Sequence, residues 1–247
     1  MTKLPNHVKC LDITWIGHAD CQHCAFRKNG ILSVIDTSIF QKTLKRIIQL
    51  RYKKNSMLFV ENAPAVELFI VRKGLIKLEE TLDDGNRRII RLLKKGSVVG
   101  LETFLDNGQR FDQTAIALLE AEVCRVPYQV MKDILDNDPN FYKAVLQEWH
   151  DQLEASRNTV VEFSTGSLRQ RVARVLLMLV DEANHNGQLE IEMIHANDIA
   201  ALIGTTRESV SRNIAEFKRN KFLTKSGPNK MRFDEFALRE VAETNNK

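Results

Sequence analysis

Apolar residues along this chain keep two different rhythms, and the change between them falls near Tyr128. From Arg51 to Val126 they come in short alternating runs: MLFVEN, ELFIVRKG, LIKLEETL, RRIIRLL, SVVG, TAIALLEA and EVCRVP. Glycines at 74, 85, 96, 100 and 108 interrupt the runs, and DDGN at 83–86 is a strong hairpin signal. Many short strands at this spacing predict a sandwich or a β-roll. After Tyr128 the period becomes helical. Tyr128 to Asp136 reads as a short helix, and Asp138-Pro139 opens a long one, since proline suits a first turn. Tyr142, Leu146, Trp149, Leu153, Ser156, Val160 and Phe163 recur at threes and fours along it. So narrow a seam on so long a helix predicts burial against a second copy, with Ser156 weakening the middle. Thr165-Gly166-Ser167 ends that helix, and Ser167 to Glu182 starts an amphipathic one. Upstream, Ile31 to Leu50 suggests one or two short helices, and residues 1 to 30 show little periodicity.

Near the C-terminus the pattern carries chemistry. Asp198 to Phe217, DIAALIGTTRESVSRNIAEF, reads as two short helices around a tight turn. Ala200 allows close packing, Gly204 permits the turn, and Thr205 or Thr206 caps the second helix. Val210, Ile214 and Phe217 form its inward stripe. Arg207, Glu208, Ser211 and Arg212 then fall outward near its start, beside Thr206. Arginine can bond guanine bidentately and glutamate can accept from cytosine N4, so this face suits a DNA major groove. LEIEMI before it is β-like, FLTKSGPNKMRF after it reads as a hairpin turning at Gly227-Pro228-Asn229, and Phe236 to Ala242 closes the chain as a helix.

Charge agrees. The whole chain carries +4, yet Gly204 to Phe233 holds eight Lys/Arg against two acids. One segment is thus more positive than the entire molecule, the footprint of a polyanion partner. No apolar run approaches the roughly 20 residues that span a bilayer; the longest, Val172 to Val180, contains Arg174. With no signal-peptide core at the N-terminus, a cytoplasmic location is expected, where cysteines serve as thiols or metal ligands. Of the four, Cys10, Cys21 and Cys24 lie in the first 30 residues among His7, His18 and His23, and Cys124 lies in a strand. A CxxC pair is shared by zinc sites, redox thiols and iron–sulfur clusters, so the residues alone leave zinc, a dithiol switch and a cluster open. Cys124 also reads as a small buried hydrophobe. The histidines read as surface residues.

A β-roll with spaced glycines, a long helix and a winged helix-turn-helix resembles the CRP/FNR superfamily of bacterial transcription regulators, from about residue 20 to 242. RESVSR at 207–212, the glycines of 74–108 and Cys124 within EVCRVP carry the likeness. Cys124 together with DCQHC at 20–24 resembles the FNR branch. The resemblance implies an α+β chain with four parts. These are a cysteine-containing segment (1–30), a cyclic-nucleotide-binding-type β-roll as sensor (31–136), a dimerisation helix (137–165) and a winged helix-turn-helix (166–247). It implies a homodimeric regulator, not an enzyme, that reads an inverted repeat in double-stranded DNA and activates by touching RNA polymerase, with the hairpin Thr81 to Arg88 as a candidate contact. A 4Fe–4S cluster on Cys10, Cys21, Cys24 and Cys124 would sense oxygen or redox state. Glu208 and Arg212 resemble the pair that reads a TGA core; Ser211 is the FNR-type neighbour and Arg207 the CRP-type one.

Two departures sharpen this reading. Where nucleotide-binding members carry Arg-Ser for the phosphate and Glu for the ribose, this chain has Phe111-Asp112 and Leu101, with Arg110 one place off. Aspartate repels phosphate, so no cyclic nucleotide is expected. Cys21 and Cys24 keep the branch's first gap, but no third cysteine follows until Cys124; Cys10 lies upstream instead. The same family with zinc, thiol oxidation, haem or another small ligand as input is the alternative. An iron–sulfur redox enzyme is the remote one, lacking a Gly-rich nucleotide loop, paired catalytic carboxylates and a Ser/His/Asp constellation.

Overall fold

The computed structural model describes residues 13–19, 31, 33, 47–83, 85, 87–101, 110–185 and 191–243. Cys10, Cys21, Cys24 and most of the stretch read as helical at 31–50 lie outside the described residues. The chain divides into two compact units, residues 1–80 with 91–156 and residues 81–90 with 157–247.

Among its described residues the first unit holds nine strands: β1 (Ile13–His18), β2 (Ile48–Tyr52), β3 (Met57–Phe59), β4 (Glu67–Lys73), β5 (Ile76–Thr81), β6 (Arg87–Leu93, its first residues grouped with the second unit), β7 (Val98–Val99), β8 (Thr114–Ala117) and β9 (Ala121–Pro127). Among the described residues they form two sheets, ordered β1-β2-β9-β4-β7 and β3-β8-β5-β6. β4 and β9 sit inside the first sheet and are apolar on both faces, as doubly covered strands must be. One face, with Phe69, Val71 and Val123, meets Phe59, Ile76, Leu78 and Ala115 of the second sheet to fill the roll. The other, with Leu68, Ile70, Cys124 and Val126, is covered by α1 (Tyr128–Asn137) and by Phe141 and Val145 at the start of α2 (Asn140–Ser164). Each such side chain contributes about 1.5–3 kcal/mol when fully buried. Gly74 closes the β4–β5 turn at φ 88, where a Cβ would lie 2.1 Å from the Glu120 carbonyl oxygen. No other residue fits there.

Two strand assignments differ from the sequence pattern. β1 arises from the stretch without periodicity, and Ile48–Leu50 joins β2 rather than a helix. Both follow from long-range pairing: β2 is antiparallel to β1 on one side and to β9 on the other. Along α2, Tyr142, Leu146, Trp149, Leu153 and Val160 are exposed as a seam requires, but Phe163 is buried in its own chain. The seam therefore ends at Val160.

The second unit contains α3 (Leu168–His185), β10 (Ile191–Glu192), α4 (Ala196–Ile203), α5 (Arg207–Arg219), β11 (Leu223–Gly227), β12 (Lys230–Phe233) and α6 (Glu235–Glu243). β10 is shorter than LEIEMI suggested. It pairs with β12, which pairs with β11 to make the wing. Asn229, at φ 55, turns that hairpin. Among the described residues no helix is long and apolar enough to cross a membrane.

Candidate functional site

Backbone chemistry places the polar face of α5. α4 stops because Gly204 adopts the left-handed conformation (φ 67, ψ 55), its N–H still donating to the Ala200 carbonyl. Thr206, not Thr205, then opens α5: its backbone is extended and its hydroxyl accepts the Ser209 N–H at 3.3 Å. Such a cap is worth about 1 kcal/mol. Val210 and Phe217 are fully buried and Ile214 half-buried, so the inward stripe stands as read. Rotation about that stripe leaves Thr206, Arg207, Glu208, Ser211 and Arg212 exposed together on the first two turns. Arg212 is held along the helix by its Nη2 donating to Ser209 Oγ at 2.9 Å. Beside them, Lys218 of α5 and Lys225 and Lys230 of the wing rim a concavity of about 550 Å³, with Met193, Ile214 and Met231 among its lining. Phosphate oxygens are the groups that such lysines can contact without reading sequence.

Residues 49–138 match the cyclic nucleotide-binding domain family, and residues 170–240 match the Crp-like helix-turn-helix domain. The chain belongs to the CRP/FNR family of transcription regulators. A CRP/FNR relative, the fumarate and nitrate reduction regulatory protein of Vibrio cholerae, is 22% identical over 84% of this chain and 84% of its own. The CRP-like cAMP-activated global transcriptional regulator of Mycobacterium tuberculosis is 21% identical over 76% of this chain and 85% of its own. In fold, the chain is similar to a CRP-family regulator from Thermus thermophilus (TM-score 0.65, 24% identity, 78% of this chain and 96% of that one). It is likewise similar to FixK2 from Bradyrhizobium japonicum (TM-score 0.65, 20% identity, 81% and 99%). As a CRP/FNR regulator the chain is a DNA-binding protein, and α4 and α5 lie within its Crp-like helix-turn-helix domain.

The family's β-roll takes cyclic nucleotides in some members, and here the roll has a cavity of about 290 Å³. Among the described residues its lining carries both signs of charge, Arg91 and Asp112. Phe111 is buried and stacked on Phe59, ring centroids 3.8 Å apart. Leu101 and Asp112 line the cavity, and Arg110 instead donates to the Asn62 carbonyl. Arg91, Gln113, Gln152 and Ser156 also line the cavity; Gln152 of α2 accepts from Arg91 Nη1 at 2.7 Å and donates to the Val98 carbonyl at 2.8 Å. The sequence pattern did not single out Gln152, because one glutamine on a helix face carries no periodic signal.

Gln152 also donates to Glu148 at 3.0 Å. Burial pushes the Glu148 carboxyl above the ordinary carboxylate range, although that hydrogen bond favours its charged form. An acid whose pKa is raised on folding stabilises the protein below its unfolded value, and that contribution is lost as pH rises through the raised one. Glu148→Gln keeps an acceptor for Gln152. It is expected to raise the unfolding temperature at neutral pH and to change it little in acid, which paired thermal melts will read.

Cys124 is the sequence-marked cysteine within the described residues. It is buried on β9, opposite Gln49 of β2 and Ile70 of β4. Gln49 in turn lies opposite Gly17 of β1, so one row crosses the sheet from Gly17 to Ile70. Arg72 is the extra residue of a bulge between Val71 and Lys73, and its Nη1 donates to Cys124 Sγ at 3.7 Å. A bulge re-aims a side chain, and this one was invisible in the alternation of ELFIVRK. Ile31 is buried in the same apolar cluster as Cys124, and Ala19 packs against it. These two residues bracket Cys21 and Cys24 along the chain.

Proposed function

We propose that this regulator is a cytoplasmic homodimer of the FNR-like branch, sensing oxygen or redox state through a 4Fe–4S cluster and reading a two-fold DNA site. The observation that carries the DNA reading is the capped start of α5, where Arg207, Glu208, Ser211 and Arg212 stand exposed on one face with Thr206. The exposed seam on α2 supports two copies, and two copies of α5 call for an inverted repeat with half-sites about one helical turn apart, TTGA- or TGTGA-like. Arg212→Ala is expected to cost ~1–3 kcal/mol of DNA binding and to relax preference at one base pair. Equal discrimination by mutant and parent across a panel of single-base variants would contradict that role. Contact with RNA polymerase through the Thr81–Arg88 hairpin completes the activator reading.

The sensor reading rests on Cys124 and on the relatives named for fumarate and nitrate reduction. Cys124 offers a soft sulfur on a rigid strand, and the Arg72 guanidinium suits the negative charge that ligating thiolates bring. Cys21 and Cys24, with Cys10, would supply the remaining thiolates of a four-cysteine set. The cluster, when bound, would supply reactivity toward oxygen; the protein would supply a sheet row for one ligand and an apolar patch that takes Ala19 and Ile31, on either side of Cys21 and Cys24 in the chain. Loss of those bonds would release the N-terminal segment from β9 and bias the monomer–dimer equilibrium. Anaerobic purification tests this reading. A brown protein bleached by air, with the colour abolished in Cys124→Ser, is expected. A colourless protein with one bound zinc would move the input to zinc or thiol chemistry.

A further inference from the structure

Helix α3 carries three arginines within six residues, and each is spent on a different neighbour. Arg169 reaches α5: its Nε bonds Glu216 at 2.8 Å and its guanidinium lies 5.4 Å from the centre of the Phe217 ring. Arg171 Nη1 donates at 2.6 Å to the carbonyl of Ile203, the last residue of α4. These two fix the helix-turn-helix to α3.

Arg174 does something else. Its Nη1 donates to the Glu162 carbonyl at 2.9 Å and to the Thr165 carbonyl at 2.8 Å, at the end of α2. Its Nη2 reaches the Ala242 carbonyl of α6 at 3.2 Å. The last carbonyls of a helix have no partner within it and carry partial negative charge, so a cation there is favoured. Gly166 turns the chain between α2 and α3 at φ 81. A Cβ on Gly166 would come within 2.8 Å of Gln170 Oε1 and 3.4 Å of Arg174 Nη2. The joint is thus closed tightly around one planar fork of donors, a geometry that lysine cannot copy.

We propose that Arg174 is a positioning residue: it sets the angle between the last turn of α2 and the DNA-reading helices, and through it the half-site separation that the dimer accepts. The proposal rests on the homodimer reading above. One added base pair rotates a half-site by about a tenth of a turn and shifts it along the axis. A rigid joint resists that change and a loose one follows it.

The test uses the full-length protein and synthetic duplexes carrying inverted half-sites at the parent's preferred spacing, one base pair shorter and one longer. The parent is expected to lose about an order of magnitude of affinity off its preferred spacing, since the duplex must be deformed to fit. Arg174→Gln and Arg174→Lys should lose most of that discrimination, while penalties for base changes inside the half-site stay at the parental values. Gly166→Ala, which strains the same joint from the other side, should behave alike and serves if Arg174→Gln does not fold. Variants that keep the parental spacing penalty would overturn the proposal, as would variants that weaken every duplex equally. A parent indifferent to spacing would instead remove the dimer reading, and the proposal with it, before any variant is compared.

Discussion

Leu153→Glu is expected to turn the protein into a monomer and to abolish its binding to a two-fold DNA site. Leu153 is 71% exposed in the single chain, and Leu146, one turn and a half-heptad before it, is 70% exposed. Tyr142, Trp149 and Val160 continue the same stripe. Water-exposed leucines at seam spacing along a 25-residue helix are stabilised by mutual burial, at about 1.5–3 kcal/mol per side chain covered. In a dimer each residue occurs twice, so one carboxylate per chain places two like charges in the seam and uncovers two leucines. Sedimentation as a function of concentration reads the first effect, and titration with an inverted-repeat duplex reads the second. A Leu153→Glu protein that still sediments as a dimer would place the interface elsewhere. Ser156 tempers the seam from within: its hydroxyl donates to the Gln152 carbonyl at 2.9 Å, so it is satisfied by its own helix and adds no apolar area.

Phe217→Ala is expected to destabilise the DNA-binding unit by ~3–5 kcal/mol, the cost of removing a large aromatic ring from a packed core. Phe217 has no exposed surface. Its ring is tilted against Phe222 at 5.9 Å and sits under the Arg169 guanidinium. Losing it frees α5 from the face that aims Arg207, Glu208, Ser211 and Arg212. Denaturant unfolding followed by far-ultraviolet circular dichroism should show the shift. The exposed neighbour Lys218 provides the contrast: Lys218→Ala should stay within about 0.5 kcal/mol of the parent.

How much of this could be read before the fold was known depended on the range of the interactions. The helix-turn-helix was legible because its determinants are local: a glycine at the αL turn, a threonine cap three residues before the N–H it accepts, and a stripe at four and three residues. The strands of the roll were legible where both ends had turn residues, as at DDGN. β1 was not. Its sequence, ITWIGH, leaves Trp15 61% exposed and has no alternation; it is a strand because β2 offers an open edge. β2 itself was read as helix at Ile48–Leu50, since only pairing with β9, some seventy residues on, decides the matter. Phe163 fits the heptad spacing but is taken into the core of its own chain, three residues before the turn at Gly166. The cysteine reading was legible as a count of thiols. Arg72 beside Cys124 was not, because a bulge is a property of two strands and not of one.

The sheet row from Gly17 to Ile70 also bears on how the protein folds. Cys124 lies on β9, and β9 must find β2 and β4 before its place in the sheet exists. The pairing of Ile48 with Arg125 closes a loop between residues 77 positions apart, an entropic cost met before any contact repays it. In the second unit α4 and α5 meet across a three-residue link and β11 and β12 across two. Contacts of such short range form quickly. The reading head should therefore be the faster folder of the two units, although it is synthesised last. During synthesis β9 cannot pair until residue 127 has left the ribosome, so Cys124 takes its place only when the sheet closes.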